Sequence, residues 1–281
     1  MRPDGTRIKI EDPMYLLLPY VLEKRYDSMN MLTVDIPLEP MKEYLNRKRQ
    51  EGTSISHMAL FLAAYLRCVR EFPKLNRFVV SGRVYQRNEF SVGLVVLRPG
   101  STNNTMSKIY LDFDDTVYDV QKKVLYYVEE NQKAEADNAT DRLMNSLMRL
   151  PSFILAGAVR TLKWMDRHNL LPKGIVDASP FHTSLSISNL ASIRTNHIYH
   201  HTYEFGTTGM FITMGNNRIV RMKKKGVFED VVCMPLGIVM DERIASGHYA
   251  ATAFTRIRSY LANPSPLEEK PGDLPIASDD L

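Results

Sequence analysis

Three charged side chains in a row, Asp241-Glu242-Arg243, follow directly on an apolar run from Val231 to Met240. That run has several β-branched members and reads as a strand buried on both faces. Ser246-Gly247 signals a turn or helix start. Ala250, Ala251, Phe254, Ile257 and Leu261 then recur at helical spacing until Pro264 stops the helix. Charged side chains at the end of a strand, held between packed elements, are where chemistry is often placed. His248 is the only His near this stretch. It stands at the start of the final helix, where the helix N-terminus disfavours a protonated ring and keeps the imidazole available as a base.

A second stretch with chemical potential is Thr183-Ser184-Leu185-Ser186-Ile187-Ser188-Asn189-Leu190, whose hydroxyls alternate as on one face of a strand. His197, His200 and His201 follow, near Tyr199, Tyr203 and Glu204. Their spacing fits no familiar ligand motif and no Cys joins them, so surface or interface packing is expected and a metal is not. Cys68 and Cys233 sit in apolar runs and read as buried thiols. Lys223-Lys224-Lys225 reads as a solvated hairpin tip.

The strand–helix stretch resembles the C-terminal signature of the dihydrolipoyl acyltransferases, the core subunits of 2-oxoacid dehydrogenase complexes. More distantly it is similar to chloramphenicol acetyltransferase. The family pattern is Asp-His-Arg-x-x-Asp-Gly, then a helix rich in Ala and Phe, then Pro. Asp241, Arg243, Gly247, the Ala250-Ala251 pair and Phe254 match it. Glu242 stands where the family has its His, and Ser246 where it has a second acid. Pro73-Lys74-Leu75-Asn76 and Gly93-Leu94-Val95-Val96 also match, and 183–190 resembles the strand that carries the family's oxyanion-binding hydroxyl. The resemblance implies an α/β fold, the chloramphenicol acetyltransferase-like two-layer sandwich with a mixed central sheet, in a homotrimer or a larger cage. It implies catalytic roles at Glu242, Ser188 and Ser246, with Ser186, Asn189 and Arg243 near a bound coenzyme A.

The elements that must position these residues are legible along the chain. At 281 residues with 44% hydrophobic and 24% charged content the chain can bury a good core. A net charge of +4 with scattered Lys and Arg gives no support for nucleic-acid binding. With neither a signal peptide nor an apolar run of membrane-span length, a cytoplasmic protein is expected. Residues 1–12 read as a flexible N-terminal arm, 13–262 as the acyltransferase-like domain, and 263–281 as a proline-rich acidic tail without structure. Strands are expected at 31–37, 90–97 and 109–113, a hairpin around Ser81-Gly82, and helices at 39–51, 117–131 and beyond Thr53 or Ser54, either of which would cap the buried helix ending before Pro73. A helical insertion at about 140–172 carries extra apolar surface. Packing on its own domain or across a subunit interface is favoured there over a membrane surface, although Arg160, Lys163 and Arg167 recur at helical intervals.

By resemblance the reaction moves an acyl group between the thiol of coenzyme A and a second acceptor, with acyl-coenzyme A or another acyl thioester as partner. Taking a thiol proton is uphill by about 2.7 kcal/mol for imidazole and about 5.7 kcal/mol for a Glu carboxylate. Glu242 therefore implies weakened or altered chemistry, and a non-catalytic trimeric scaffold is the alternative.

Overall fold

The computed structural model describes residues 2–97, 104–133, 138–224, 226–272, 274 and 276. In chain order the elements are β1 (Gly5–Arg7), α1 (Pro13–Val21), β2 (Met29–Pro37), α2 (Glu39–Gln50), α3 (His57–Glu71), β3 (Arg77–Val80), β4 (Arg83–Arg87), β5 (Phe90–Leu97) and β6 (Asn104–Leu111). There follow α4 (Val117–Gln132), α5 (Ala139–Met148), α6 (Ser152–Arg167), α7 (Lys173–Ala178), β7 (Leu185–Asn189), β8 (Met210–Met214), β9 (Arg218–Lys224), β10 (Val227–Asp241) and α8 (Gly247–Ala262).

The main sheet runs β2-β10-β8-β7-β5-β6, and β9 pairs with the outer half of β10. β7 is parallel to both neighbours and every other pair is antiparallel, so the sheet is mixed as expected. A small antiparallel sheet, β1-β4-β3, lies apart from it. The hairpin β3–β4 turns at Ser81-Gly82, both at positive φ, as a two-residue turn between right-twisted strands requires. Helices α2, α3, α4 and α8 form the second layer of an α/β two-layer sandwich. In α3 every residue from Ala59 to Val69 is buried, which is why its sequence leaves almost no polar face.

Strand register divides the sheet into two unlike faces. Ile187, Ile212 and Ile238 are paired in one row across β7, β8 and β10, and all are fully buried under the helices. One residue along, the row on the opposite face is Ser188, Thr213, Gly237 and Thr33. That face is met by α7 at its β6 edge, where Lys108 reaches the Val176 carbonyl. The segment 195–199 crosses it, with Ile198 N donating to Thr213 Oγ1 at 3.1 Å. A Cβ on Gly237 would sit 2.4 Å from the Ile198 carbonyl oxygen, so only glycine admits the crossing chain.

Several boundaries differ from the sequence reading. Residues 2–7 of the expected arm are not loose: β1 pairs with β4, and Arg2 is buried against Asp4 and Asp166, which offsets the cost of burying its charge. The buried helix is capped by Ser56, whose Oγ accepts from Ala59 N at 3.1 Å, rather than by Thr53 or Ser54. Ile55 is buried in the core, so the chain stays extended until it has placed that side chain. The start of the tail is also held. Arg67 donates to the carbonyls of Pro266 (2.9 Å) and Glu269 (2.6 Å), Lys48 pairs with Glu268 at 2.6 Å, and Leu267 is buried. β10 begins at Val227, earlier than the apolar run, because its outer half only pairs with β9 and stays largely exposed. The lysine run falls at the β9–β10 turn, and Lys225 lies outside the described residues.

Candidate functional site

β10 delivers Asp241 to the end of the sheet, and there the charges of the motif are consumed by the fold. Arg243 Nε donates to Asp241 Oδ1 (2.8 Å) and Nη2 to Oδ2 (2.7 Å), while Nη1 reaches the carbonyls of Leu22 (3.0 Å) and Glu23 (3.3 Å). Both side chains are buried. Arg25, also buried, donates to the carbonyls of Thr208 and Gly206. Burial alone would raise the Asp241 pKa, but its bonds to Arg243 and the charge of Arg25 outweigh it and hold the carboxyl below its ordinary range. Asp241 and Arg243 thus clamp the chain leaving α1 onto the strand end. The coenzyme role expected for Arg243 competes with four hydrogen bonds already made.

Glu242 points elsewhere. Its backbone N donates to Ser28 O at 2.8 Å, its side chain is half-buried, and among the described residues the carboxylate makes no hydrogen bond. Tyr15 is its neighbour: burial raises the Tyr15 pKa, contact with Ser246 lowers it and the Glu242 charge raises it again, for a net rise. Ser246 is the N-cap of α8, with Oγ accepting from Tyr249 N at 3.0 Å. His248 is exposed in the first turn of α8. A cavity of about 860 Å³ opens beside this strand end, lined by Lys9, Tyr15, Lys74, Arg77, Arg243 and Ser246 among others. Lys74 Nζ lies 4.9 Å from the centre of the Tyr249 ring. Arg243 also borders a second cavity of about 320 Å³ with Tyr20, Gly82 and Glu204.

The hydroxyl strand forms the other half. Ser188 is half-buried on the polar row, and among the described residues its side chain makes no hydrogen bond. Ser186 is buried with Oγ 3.3 Å from Thr183 Oγ1, and Asn189 is exposed. Ser188 pairs through Thr213 with Gly237, and Glu242 is five residues beyond Gly237, one past the end of β10. At about 3.3 Å per residue and 4.8 Å per strand the two lie roughly 19 Å apart. One chain therefore does not bring Ser188 to Glu242, Ser246 or His248.

The sequence reading did not find Thr33, Thr213, Tyr15 or Arg25. A glycine inside an apolar strand, Gly237, was the available signal of a close backbone approach. Among the histidines, His200 stacks on Phe211 (centroids 4.1 Å apart) and on His201 (4.8 Å), and His197 Nε2 lies 3.2 Å from Thr33 Oγ1. Among the described residues no group of three side chains could hold a metal ion. Lys108, whose ammonium donates to the Val176 carbonyl at the end of α7, is pushed down to about 7 by burial.

No family model matches the sequence, and no curated protein is similar to it. Solved structures are similar in fold. A probable dihydrolipoamide acetyltransferase from Listeria monocytogenes superposes with a TM-score of 0.57 at 12% identity, over 91% of this chain and 94% of that one. The cubic core of the pyruvate dehydrogenase multienzyme complex gives 0.54 at 15% identity, over 92% and 94%. Chloramphenicol acetyltransferase gives 0.54 at 12% identity, over 92% and 99%. The chain has the fold of these acyltransferases along nearly its whole length.

Proposed function

We propose that the chain transfers an acyl group from a coenzyme A thioester to a second thiol, at sites completed between copies in a homotrimer. The observation that carries this reading is the placement of two uncommitted groups, the Glu242 carboxylate and the Ser188 hydroxyl, at opposite ends of one sheet in the fold of the acyltransferases. Each is half of a site. Glu242 of one copy takes the proton as the acceptor sulfur attacks the thioester carbonyl. Ser188 of the next copy donates a hydrogen bond to the oxyanion of the tetrahedral intermediate. The C–S bond to coenzyme A then breaks, and the departing thiolate takes the proton back from Glu242. The cavity beside this strand end is within the size range of small-molecule sites, and its lining is mixed in charge, with Lys9, Lys74 and Arg77 beside Glu11 and Asp12.

The test is thioester consumption by the purified protein with thiol, amine and alcohol acceptors. Glu242→His narrows the proton-transfer gap by about 3 kcal/mol and is expected to raise turnover by up to about a hundredfold. Ser188→Ala is expected to lower it by about 10²- to 10³-fold. Loss of turnover in Glu242→Gln but not in His248→Ala assigns the base to Glu242, and the reverse result assigns it to His248. A clean monomer in light scattering overturns the shared site. The engagement of Asp241, Arg243 and Ser246 in holding the fold favours one second reading, a trimeric scaffold without activity. A trimer that consumes no thioester, even as Glu242→His, decides for it.

A further inference from the structure

The α5–α6 segment is tied to the sandwich by one side. Thr140 Oγ1 donates to the Ala178 carbonyl at 2.8 Å, Arg2 Nη2 to Asp166 at 2.8 Å, and Ser81 Oγ to the Arg167 carbonyl at 2.7 Å. Leu155, Leu162 and Met165 of α6 are half-buried on that inward side. On the opposite side Phe153, Arg160, Trp164 and Arg167, spaced i, i+7, i+11 and i+14, share one helical face. Phe153 is 79% exposed, Trp164 54%, and Met148 at the end of α5 72%. The expected packing of this insertion onto its own domain thus covers half of it and leaves a large aromatic face in water.

Charge says what kind of surface would cover it. Over α5 and α6, from Ala139 to Arg167, the sequence has five Lys and Arg and two acids, Asp141 and Asp166. Asp166 is buried on Arg2. The stretch carries a net +3, and Arg160, Lys163 and Arg167 are exposed. A second copy of this segment would bring like charges together, whereas an anionic surface would complement them. Among the described residues no helix is long and apolar enough to cross a membrane, so contact would be made lying flat. We propose that α6 docks on the surface of an anionic lipid bilayer. Phe153 and Trp164 enter the headgroup layer, and Arg160, Lys163 and Arg167 pair with lipid phosphates. The proposal is independent of any acyl transfer.

Trp164 is the only tryptophan of the chain and reports on the docking face directly. With phosphatidylglycerol vesicles its emission is expected to move to the blue and the protein to co-sediment. Both effects should disappear at about 1 M salt, where the Debye length falls to about 3 Å. Phosphatidylcholine vesicles should leave the spectrum unchanged. The Arg160→Gln, Lys163→Gln double variant, with an unaltered circular dichroism spectrum, should bind anionic vesicles about thirtyfold more weakly. An unchanged emission and no co-sedimentation with phosphatidylglycerol would overturn the proposal. So would undiminished vesicle binding by the double variant, which would put the lipid contact elsewhere. A blue shift that depends on protein concentration without lipid would make a second copy the occupant, and that also overturns it.

Discussion

The two faces of the central sheet are made by the same strands, one residue out of step, and they are stabilised in different ways. The helix-covered face holds Ile187, Ile212 and Ile238 against α3 and α8, and its stability comes from removing apolar surface from water. The opposite face carries Ser186, Ser188, Thr213 and Thr33, where it is crossed by extended chain, while α7 reaches it only at its β6 edge. Its layer is held by polar contacts: Thr183 with Thr208 (2.8 Å), Thr213 with the Ile198 backbone, and His182 Nδ1 with Ser179 Oγ (2.8 Å). Hydrophobic burial tolerates no access, whereas a hydrogen-bonded layer can leave a hydroxyl such as Ser188 free for a ligand.

The largest difference between the faces should appear in paired truncations. Ile212→Ala is expected to cost about 2–5 kcal/mol in urea unfolding, from lost burial plus the cavity left behind. Acid gives the next effect. Burial opposes ionisation of Asp166, but the His182 ring 3.3 Å away and the Arg2 guanidinium outweigh it and bring its pKa down to about 2. A depressed carboxylate stabilises the fold above its unfolded value near 4, and that contribution, about 2 kcal/mol, is lost as pH falls from about 4 towards 2. Burial pushes His182 below its ordinary range too, so its share of the loss starts as pH drops through about 6.5. Stability measured against pH should therefore fall in two stages, and Asp166→Asn should flatten the lower one. A two-stage profile left unchanged in Asp166→Asn would remove the charge cluster from this account. The smallest effect is expected from Thr213→Val, about 1 kcal/mol, because it deletes the contact to Ile198 while keeping the volume. A cost equal to that of Ile212→Ala would erase the distinction between the faces.

Much of the scaffold was legible because apolar spacing reports burial directly. β5 was read from Phe90 to Leu97, and the Ser81-Gly82 turn from its residue types. The misread segments share a cause. Residues 1–12 and the start of the tail are polar, and polar chain reads as loose when its partners are far away in sequence. Arg2 is ordered by Asp166, and Glu268 by Lys48. No local pattern announces a contact across such separations.

The same division runs through the candidate site. Residue type and order alone determined that a carboxylate, Glu242, follows a buried strand and that hydroxyls alternate along 184–188, since both facts depend only on near neighbours. Tertiary structure decided what each group has left to offer. Packing against α1 ties Arg243 to Asp241 and to the Leu22 and Glu23 carbonyls, while the start of α8 engages Ser246. Strand register puts Ser188 on the row of Gly237, roughly 19 Å from Glu242. A side chain's chemistry is set by its type, but its availability is set by the partners it has already found, and those are brought to it by the fold.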